Sequence, residues 1–223
     1  MKKNYKLNKV RMINSIKELL EVAGNEAGNK TAFEFKNENN KDKIVKVTYN
    51  EFIRETNEIG TALAKYNVHN KHIAIIGENS YKWLVVYLTV LKSTGVFVPI
   101  DKELPLDGII NILNHSESEV LFYSEKYEKW IDEIKTKAPN IKYFIGLNKK
   151  ENVDEKTLAY DKFREIGSKE LDSGNSEYVN LKDDPNKMKL LVYTSGTTGD
   201  PKGVMLTEHN LISIVNYGLQ VAE

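Results

Sequence analysis

The sequence contains no cysteine in its 223 residues, which excludes disulfide bonds and thiolate metal ligands. It also lacks an excess of either charge, because 32 lysine and arginine residues balance 32 aspartate and glutamate residues. A chain without net charge has no general attraction to nucleic acid or to an anionic membrane, so we expect any anion site to be local and no nucleic-acid partner. The missing cysteine is compatible with a reducing compartment, and we predict a cytoplasmic protein.

Long apolar runs are missing as well. The longest, residues 83–91 (WLVVYLTVL), has about half of the ~20 residues that a transmembrane helix needs. We therefore predict a buried helix there and no transmembrane segment. The basic start of the chain, residues 1–20, has neither a continuous apolar stretch nor a small-residue cleavage site, so we expect no signal peptide.

Hydrophobic residues make up 40% and charged residues 29% of the chain, a balance typical of a folded globular protein. Within residues 1–70, helical spacing over residues 15–23 predicts a first helix, and alternation over residues 31–35 and 43–49 predicts a pair of strands. A long amphipathic helix should follow over residues 48–68, with Thr48 as its N-cap. We expect these elements to pack on a sheet formed by the rest of the chain.

Residues 71–223 change to short apolar runs separated by helical segments. The runs are HIAIIG (72–77), VFVPI (96–100), EVLFY (119–123) and IKYFIGL (141–147), and the helical segments are 79–92, 106–114 and 125–137. This alternation predicts an α/β fold with a largely parallel sheet and helices on both faces. A polar connector, residues 167–189, should then lead to one more strand, LLVY (190–193), so that the whole chain forms one incomplete domain.

The last predicted strand leads into a loop rich in glycine and hydroxyl groups, YTSGTTGDPKGV (193–204). Backbone N–H groups and hydroxyls in such a loop can surround phosphate, and Lys202 can supply a positive charge. The loop fits neither the Walker A pattern nor the Gly-x-Gly-x-x-Gly pattern of dinucleotide sites. From the residue types alone, a phosphate site and a flexible surface loop both stay open.

The string YTSGTTGDPKGV resembles the phosphate-loop signature of the adenylate-forming superfamily, which includes acyl-CoA synthetases, peptide-synthetase adenylation domains and luciferases. VTYNEF (47–52) and LKSTGVFVPID (91–101) resemble two further elements of that superfamily, in the same order and spacing. Residues 76–105 are most similar to bacterial long-chain fatty acid CoA ligases. The fold that this resemblance implies is the N-terminal part of the large domain of an acyl-CoA synthetase.

The resemblance implies a two-step reaction on a carboxylic acid, most similar to the fatty acids of the long-chain ligases. In the first step the acid is activated with ATP and Mg²⁺ as an acyl-adenylate. In the second step the acyl group is transferred to CoA. It gives Lys202 a catalytic role. The residues that it places on the β- and γ-phosphates of ATP are Thr194, Ser195, Gly196, Thr197, Thr198, Gly199 and Lys202. The ribose and most magnesium contacts are expected in family segments that lie beyond residue 223.

The resemblance covers less than half of a family member, so we expect an N-terminal fragment that is inactive alone and has uncovered surface open to self-association. Two alternatives stay open: a non-catalytic binding or interaction module that keeps the fold, and an amino-acid-activating adenylation domain. The sequence LTEHNL (206–211) departs from the family's usual LTHxNL, because Glu208 stands where the histidine is expected and His209 follows it. This leaves the role of both residues open.

His69 and His72 are three residues apart, a spacing that could suggest a metal pair. They lie in a polar turn before a strand and have no carboxylate at ligand spacing. We predict no metal site there or elsewhere in the chain.

Overall fold

The computed structural model of the protein describes residues 8–37, 40, 42–182, 184–194 and 202–221. The α-helices in these residues are α1 (Ile16–Ala27), α2 (Tyr49–Lys65), α3 (Tyr81–Lys92), α4 (Leu106–His115), α5 (Ile131–Lys137), α6 (Tyr160–Asp172) and α7 (Glu208–Val221). The strands are β1 (Thr31–Lys36), β2 (Ile44–Thr48), β3 (His72–Ile76), β4 (Val96–Ile100), β5 (Val120–Tyr123), β6 (Tyr143–Gly146), β7 (Thr157–Ala159), β8 (Met188–Thr194) and β9 (Lys202–Thr207).

The main sheet has seven strands in the order β7-β6-β5-β3-β4-β8-β9. Strands β3 to β8 run parallel, and β9 returns antiparallel to β8. Strands β1 and β2 form a separate antiparallel pair. The prediction that the four apolar runs form one largely parallel sheet is confirmed, as is the strand pair before it.

Helices cover both faces of this sheet, as predicted. On one face, Ile73, Ile75 and Phe122 pack with buried residues of α1, α2, α3 and α6. On the other face, Ala74 and Leu121 pack with buried residues of α4 and α5. Because successive strand residues point to opposite faces, strands without polar alternation bury both sides. No helix among the residues that the structure describes is long and apolar enough to cross a membrane.

The start of α2 follows directly from the sequence, and Thr48 is its N-cap as predicted. The hydroxyl of Thr48 accepts a hydrogen bond from the backbone N–H of Glu51 at 3.2 Å, and the Glu51 carboxylate accepts one from the backbone N–H of Thr48 at 2.7 Å. This reciprocal capping box satisfies two N–H groups that a helix start would otherwise leave free. It fixes the point at which the chain passes from β2 into the long helix.

Three details of the sequence-based prediction were wrong. The first part of the polar connector is helical, because α6 extends to Asp172. The helix predicted over residues 125–137 begins as a 3₁₀ helix, Glu125–Trp130, before α5. The edge strand β7 and the return strand β9 were not predicted. Helix α6 lacks a strong apolar signal because Tyr160, Phe163 and Gly167 are its only fully buried residues among those described.

Candidate functional site

The predicted phosphate loop joins the two strands of the β8–β9 hairpin. Thr194 and Lys202 form the last register pair of this hairpin, and both are exposed. Strand β8 is parallel to β4, so Thr194 lies at the carboxyl edge of the sheet. The remaining predicted phosphate ligands, Ser195, Gly196, Thr197, Thr198 and Gly199, lie outside the described residues. The structure therefore brings the two ends of the loop together at the edge where open α/β sheets bind ligands.

Tyr193 anchors the end of the hairpin to helix α4. Its hydroxyl lies 2.7 Å from Nδ1 of His115, and the two rings meet edge to face at 5.6 Å. Burial raises the pKa of the Tyr193 hydroxyl, so this group stays protonated at neutral pH. Sequence reasoning missed this contact, because His115 carries no motif and is 78 residues away.

Gly203 allows the two strands of the hairpin to pack closely beside the loop. A Cβ atom at this position would lie 2.9 Å from Cδ1 of Leu191, a distance that real Cβ contacts essentially never show. A larger residue at this position would require the Leu191 side chain to shift. This glycine of the motif therefore has a packing reason in addition to any contact with a ligand.

A second feature of the carboxyl edge is the crevice between β3 and β5. These strands are neighbours, but the chain leaves β3 towards β4 on one side and leaves β5 towards β6 on the other. Such a reversal of strand order is the usual ligand-binding point of doubly wound sheets. Glu78 and Ser124 follow the two strands and meet there. The crevice lies between two and three strand spacings from β8, roughly 12 Å along the edge.

The crevice has a definite charge arrangement. The Ser124 hydroxyl donates to Oε2 of Glu78 at 2.8 Å, and Nζ of Lys126 lies 3.9 Å from Oε1 of Glu78. The hydrogen bond from Ser124 is the largest cause of a lowered pKa for Glu78, so this carboxylate is ionised at neutral pH. Sequence reasoning did not find this group, because residues 78 and 124 come together only through the strand order.

Glu208, the departure from the family pattern, lies away from the loop. It follows Thr207, which pairs with Met188 at the opposite end of the hairpin from Lys202. Its side chain is fully buried, and Oε1 accepts a hydrogen bond from the backbone N–H of Ile16 at 2.8 Å. Its neighbour His209 is exposed. Neither side chain lies beside Thr194 or Lys202, so Glu208 has a structural role at the start of α1.

The two histidines near β3 do not face each other across a metal position. Nδ1 of His72 lies 2.5 Å from the carbonyl oxygen of Ser116, and Nε2 of His69 lies 4.0 Å from Oε1 of Glu177. Among the described residues, no three histidine, aspartate or glutamate side chains are grouped as a metal site would require.

Comparison with known proteins places this architecture in a family. The family model described as AMP-binding enzyme matches residues 20–221. Gramicidin S synthase 2 of Brevibacillus brevis is 30% identical over 77% of the chain and 3% of its own length. Long chain acyl-CoA synthetase 4 of Arabidopsis thaliana is 28% identical over 78% of the chain and 27% of its own length.

Among solved structures, a red-emitting luciferase from Phrixothrix hirtus is similar in fold, with a TM-score of 0.75 and 18% sequence identity. The match covers 94% of this chain and 49% of the luciferase chain. The chain spans less than half the length of each of these three proteins. The match over residues 20–221 covers most of the sequence, and the chain therefore belongs to the AMP-binding enzyme family.

Proposed function

We propose that this chain is the pyrophosphate-binding part of an ATP-dependent acid–CoA ligase, with Lys202 as the residue that contacts the departing pyrophosphate. One observation carries the proposal: Thr194 and Lys202 are paired across the hairpin at the carboxyl edge of a parallel sheet. The segment between them contains two glycines and three hydroxyl residues within residues 195–199 (SGTTG). A short loop of this composition at that edge presents donors to an anion.

The reaction begins when an oxygen of the substrate carboxylate attacks the α-phosphorus of ATP and the bond to the β,γ-pyrophosphate breaks. Negative charge develops on the departing pyrophosphate. The Lys202 ammonium, the Thr194 hydroxyl and the donors of residues 195–199 stabilise that charge, which is the main contribution a protein makes to such a step. In the second step the CoA thiol attacks the acyl carbon, and AMP leaves.

Mg²⁺ would add charge neutralisation on the phosphate oxygens. The described residues hold no group of three acidic or histidine side chains for it. We therefore assign its protein ligands, like the ribose contacts, to family segments other than this one.

The substrate in this proposal is a fatty acid. It rests on the similarity of residues 76–105 to long-chain fatty acid CoA ligases and on the relative named long chain acyl-CoA synthetase 4. The second candidate is amino-acid activation, which the 30% identity to gramicidin S synthase 2 favours. The third is a non-catalytic module. The test uses the polypeptide that combines this region with the rest of the domain and measures the exchange of labelled pyrophosphate into ATP. Exchange that requires a fatty acid supports the first candidate, and exchange that requires an amino acid supports the second. No exchange with either acid supports the third.

Two more assignments belong to the proposal. We treat residues 1–70 and 71–223 as parts of one incomplete domain, since α2 packs against α3 and α6. We place the protein in the cytoplasm, where ATP and CoA are available. A chain without cysteine is compatible with that reducing compartment.

The role of Lys202 can be tested on the chain itself by equilibrium dialysis with labelled pyrophosphate. Lys202→Ala should weaken binding about tenfold or more, because a hydrogen bond to a charged group contributes roughly 1.5–3 kcal/mol. Lys187→Ala is the matched control, since Lys187 is an exposed lysine in the turn that leads into the opposite end of the hairpin. Equal loss of binding in both variants would show a general charge effect and refute the site.

A further inference from the structure

The loop end of the β8–β9 hairpin extends beyond its pairing with the rest of the sheet. Among the described residues, β4 and β8 share a single register pair, Phe97 with Leu190. Thr194 lies four residues further along β8, and its partner Lys202 lies on β9, the last described strand of the sheet. Pairing with β4 therefore stops short of the two residues that border the phosphate loop, and side-chain contacts have to help fix their position.

Tyr193 is placed to hold both strands at this end. It is the register partner of Gly203, directly before the pair formed by Thr194 and Lys202. Two atoms of its ring lie 3.5 Å from the point where a Cβ atom of Gly203 would be. The ring also packs against the buried side chains on the α4 face of the sheet. A fixed Tyr193 ring therefore restricts the movement of both neighbouring strands.

The packing of Tyr193 does not require its hydroxyl group. The side chain is partly buried, and a phenylalanine ring would fill the same space. The hydroxyl instead lies 2.7 Å from Nδ1 of His115. Because burial raises the pKa of Tyr193, the hydroxyl keeps its proton at neutral pH and donates a hydrogen bond to Nδ1 in the neutral form of His115.

His115 in turn stands on a fixed support. It is the last residue of α4, and the preceding Ile112 and Leu113 are buried in the core on that face. The backbone N–H of Ser116 donates to the carbonyl oxygen of Ile112 at 2.8 Å, and that of Ser118 donates to the carbonyl oxygen of Leu113 at 3.2 Å. Such bonds satisfy the carbonyl groups at a helix end. The imidazole therefore projects from a well-supported position, although His115 itself is exposed.

We propose that His115 is a positioning residue for pyrophosphate binding. By holding the Tyr193 hydroxyl, it keeps Thr194 and Lys202 in their binding position before the ligand arrives. A site that adopts its binding conformation for only a fraction of the time loses affinity by that fraction. An anchored hairpin end should therefore bind more tightly than a free one. This inference rests on the proposed function, since it takes the loop as a pyrophosphate site.

The first measurement is equilibrium dialysis of the chain with labelled pyrophosphate. His115→Ala and Tyr193→Phe should each weaken binding about threefold to tenfold, as expected for one hydrogen bond. The double variant should bind no more weakly than either single variant, because both substitutions remove the same contact. His115→Asn should restore binding to within about twofold, because its side-chain amide can place an oxygen near the position of Nδ1.

His209→Ala is the matched control, because His209 is also an exposed histidine but lies away from the loop end of the hairpin. This variant should bind pyrophosphate as the wild type does. Urea denaturation of each variant adds a second check. A residue with only a structural role would lower the free energy of unfolding without changing the dissociation constant of the folded protein.

The second measurement needs no ligand and follows hydrogen–deuterium exchange at the backbone amides of residues 192–194 and 202–204. His115→Ala and Tyr193→Phe should each speed this exchange about threefold to tenfold, because loss of the hydrogen bond makes opening of the hairpin end easier. His209→Ala should leave the exchange rates unchanged. Unchanged rates in both His115→Ala and Tyr193→Phe would overturn the proposal.

Lys202→Ala in the same dialysis experiment separates this proposal from the proposed function. If Lys202→Ala weakens binding but His115→Ala and Tyr193→Phe do not, the pyrophosphate site stands and the positioning role of His115 is overturned. If the wild-type chain does not bind pyrophosphate, or Lys202→Ala binds it equally well, the proposed site fails and the positioning role fails with it. Faster exchange in His115→Ala would then show only that this residue anchors the hairpin.

Discussion

The ammonium group of Lys189 lies 3.8 Å from Oε2 of Glu208, and both side chains are almost completely buried. Lys189 also donates to the carbonyl oxygen of Ser93, directly after α3, while Glu208 accepts from Ile16 at the start of α1. One buried ion pair thus joins α1, α3, β8 and α7. This network gives a physical reason for the glutamate at position 208.

Glu208→Gln should lower the free energy of unfolding by about 3–5 kcal/mol, because removing one partner leaves the Lys189 charge buried without its counter-charge. Urea denaturation measures this. The double variant Lys189→Met/Glu208→Leu should be less destabilised than the sum of its single variants, since neither charge remains. Strict additivity would show that the two side chains do not interact.

The contact between α2 and α6 requires glycine at position 167. A Cβ atom there would lie 1.7 Å from the backbone oxygen of Glu58, and the Glu58 carboxylate is bound at the same place by Nε of Arg164 at 2.6 Å. Gly167→Ala must therefore push the helices apart and should cost about 3 kcal/mol or more.

The control for this substitution is Gly108→Ala in α4, where a Cβ atom would make ordinary contacts at 3.6 Å. Gly108→Ala should be neutral or stabilise the protein by up to about 1 kcal/mol. Thermal unfolding of both variants checks the pair. If Gly167→Ala is as stable as Gly108→Ala, the described approach of α6 to α2 is incorrect.

Asp154 predicts an acid-dependent loss of stability. The backbone N–H of Lys156, at 2.8 Å, is the largest cause of a pKa lowered from 3.8 to about 2, and burial opposes it. A carboxylate whose pKa is lower in the folded protein stabilises the fold above its unfolded pKa, and that contribution is lost as pH falls through the folded pKa. Wild type should therefore be more stable than Asp154→Asn at neutral pH, with the difference disappearing between about pH 4 and pH 2. Urea midpoints at several pH values measure it; a constant difference would contradict the role given to ionised Asp154.

Much of the fold could be predicted because the signals were local. The apolar runs that became β3 to β6 lack polar alternation, and Thr48 with Glu51 is a complete capping box within four residues. Helix α6 was partly missed because its closest contact uses Gly167, which adds no apolar signal. Strand β9 was missed because Val204 and Met205 are exposed, so it has no inward-facing pattern that distinguishes it from a loop.

The candidate site also has one part that the sequence predicts and one part that it does not. The ends of the phosphate loop, Thr194 and Lys202, belong to one motif and could be identified from the sequence. The crevice formed by Glu78 and Ser124 depends on β3 and β5 being adjacent, although β4 comes between them along the chain. Residue order alone does not determine strand order, so this second part of the edge required the structure.

The last prediction concerns activity: the 223-residue chain alone should not exchange labelled pyrophosphate into ATP when given fatty acid and Mg²⁺. In the proposed mechanism Thr194 and Lys202 hold the leaving group, but the reaction also requires the acid and the ribose to be fixed against the α-phosphorus. Losing such positioning removes an effective-concentration advantage of up to about 7–11 kcal/mol.

The full domain that contains this region should be active, and its Lys202→Ala variant should lose activity roughly tenfold to a thousandfold, as for other groups that stabilise developing charge. Lys187→Ala in the same domain should retain activity. Robust exchange by the chain alone would show that residues 1–223 contain the whole catalytic site, whereas unchanged exchange in the full-domain Lys202→Ala variant would remove Lys202 from the mechanism.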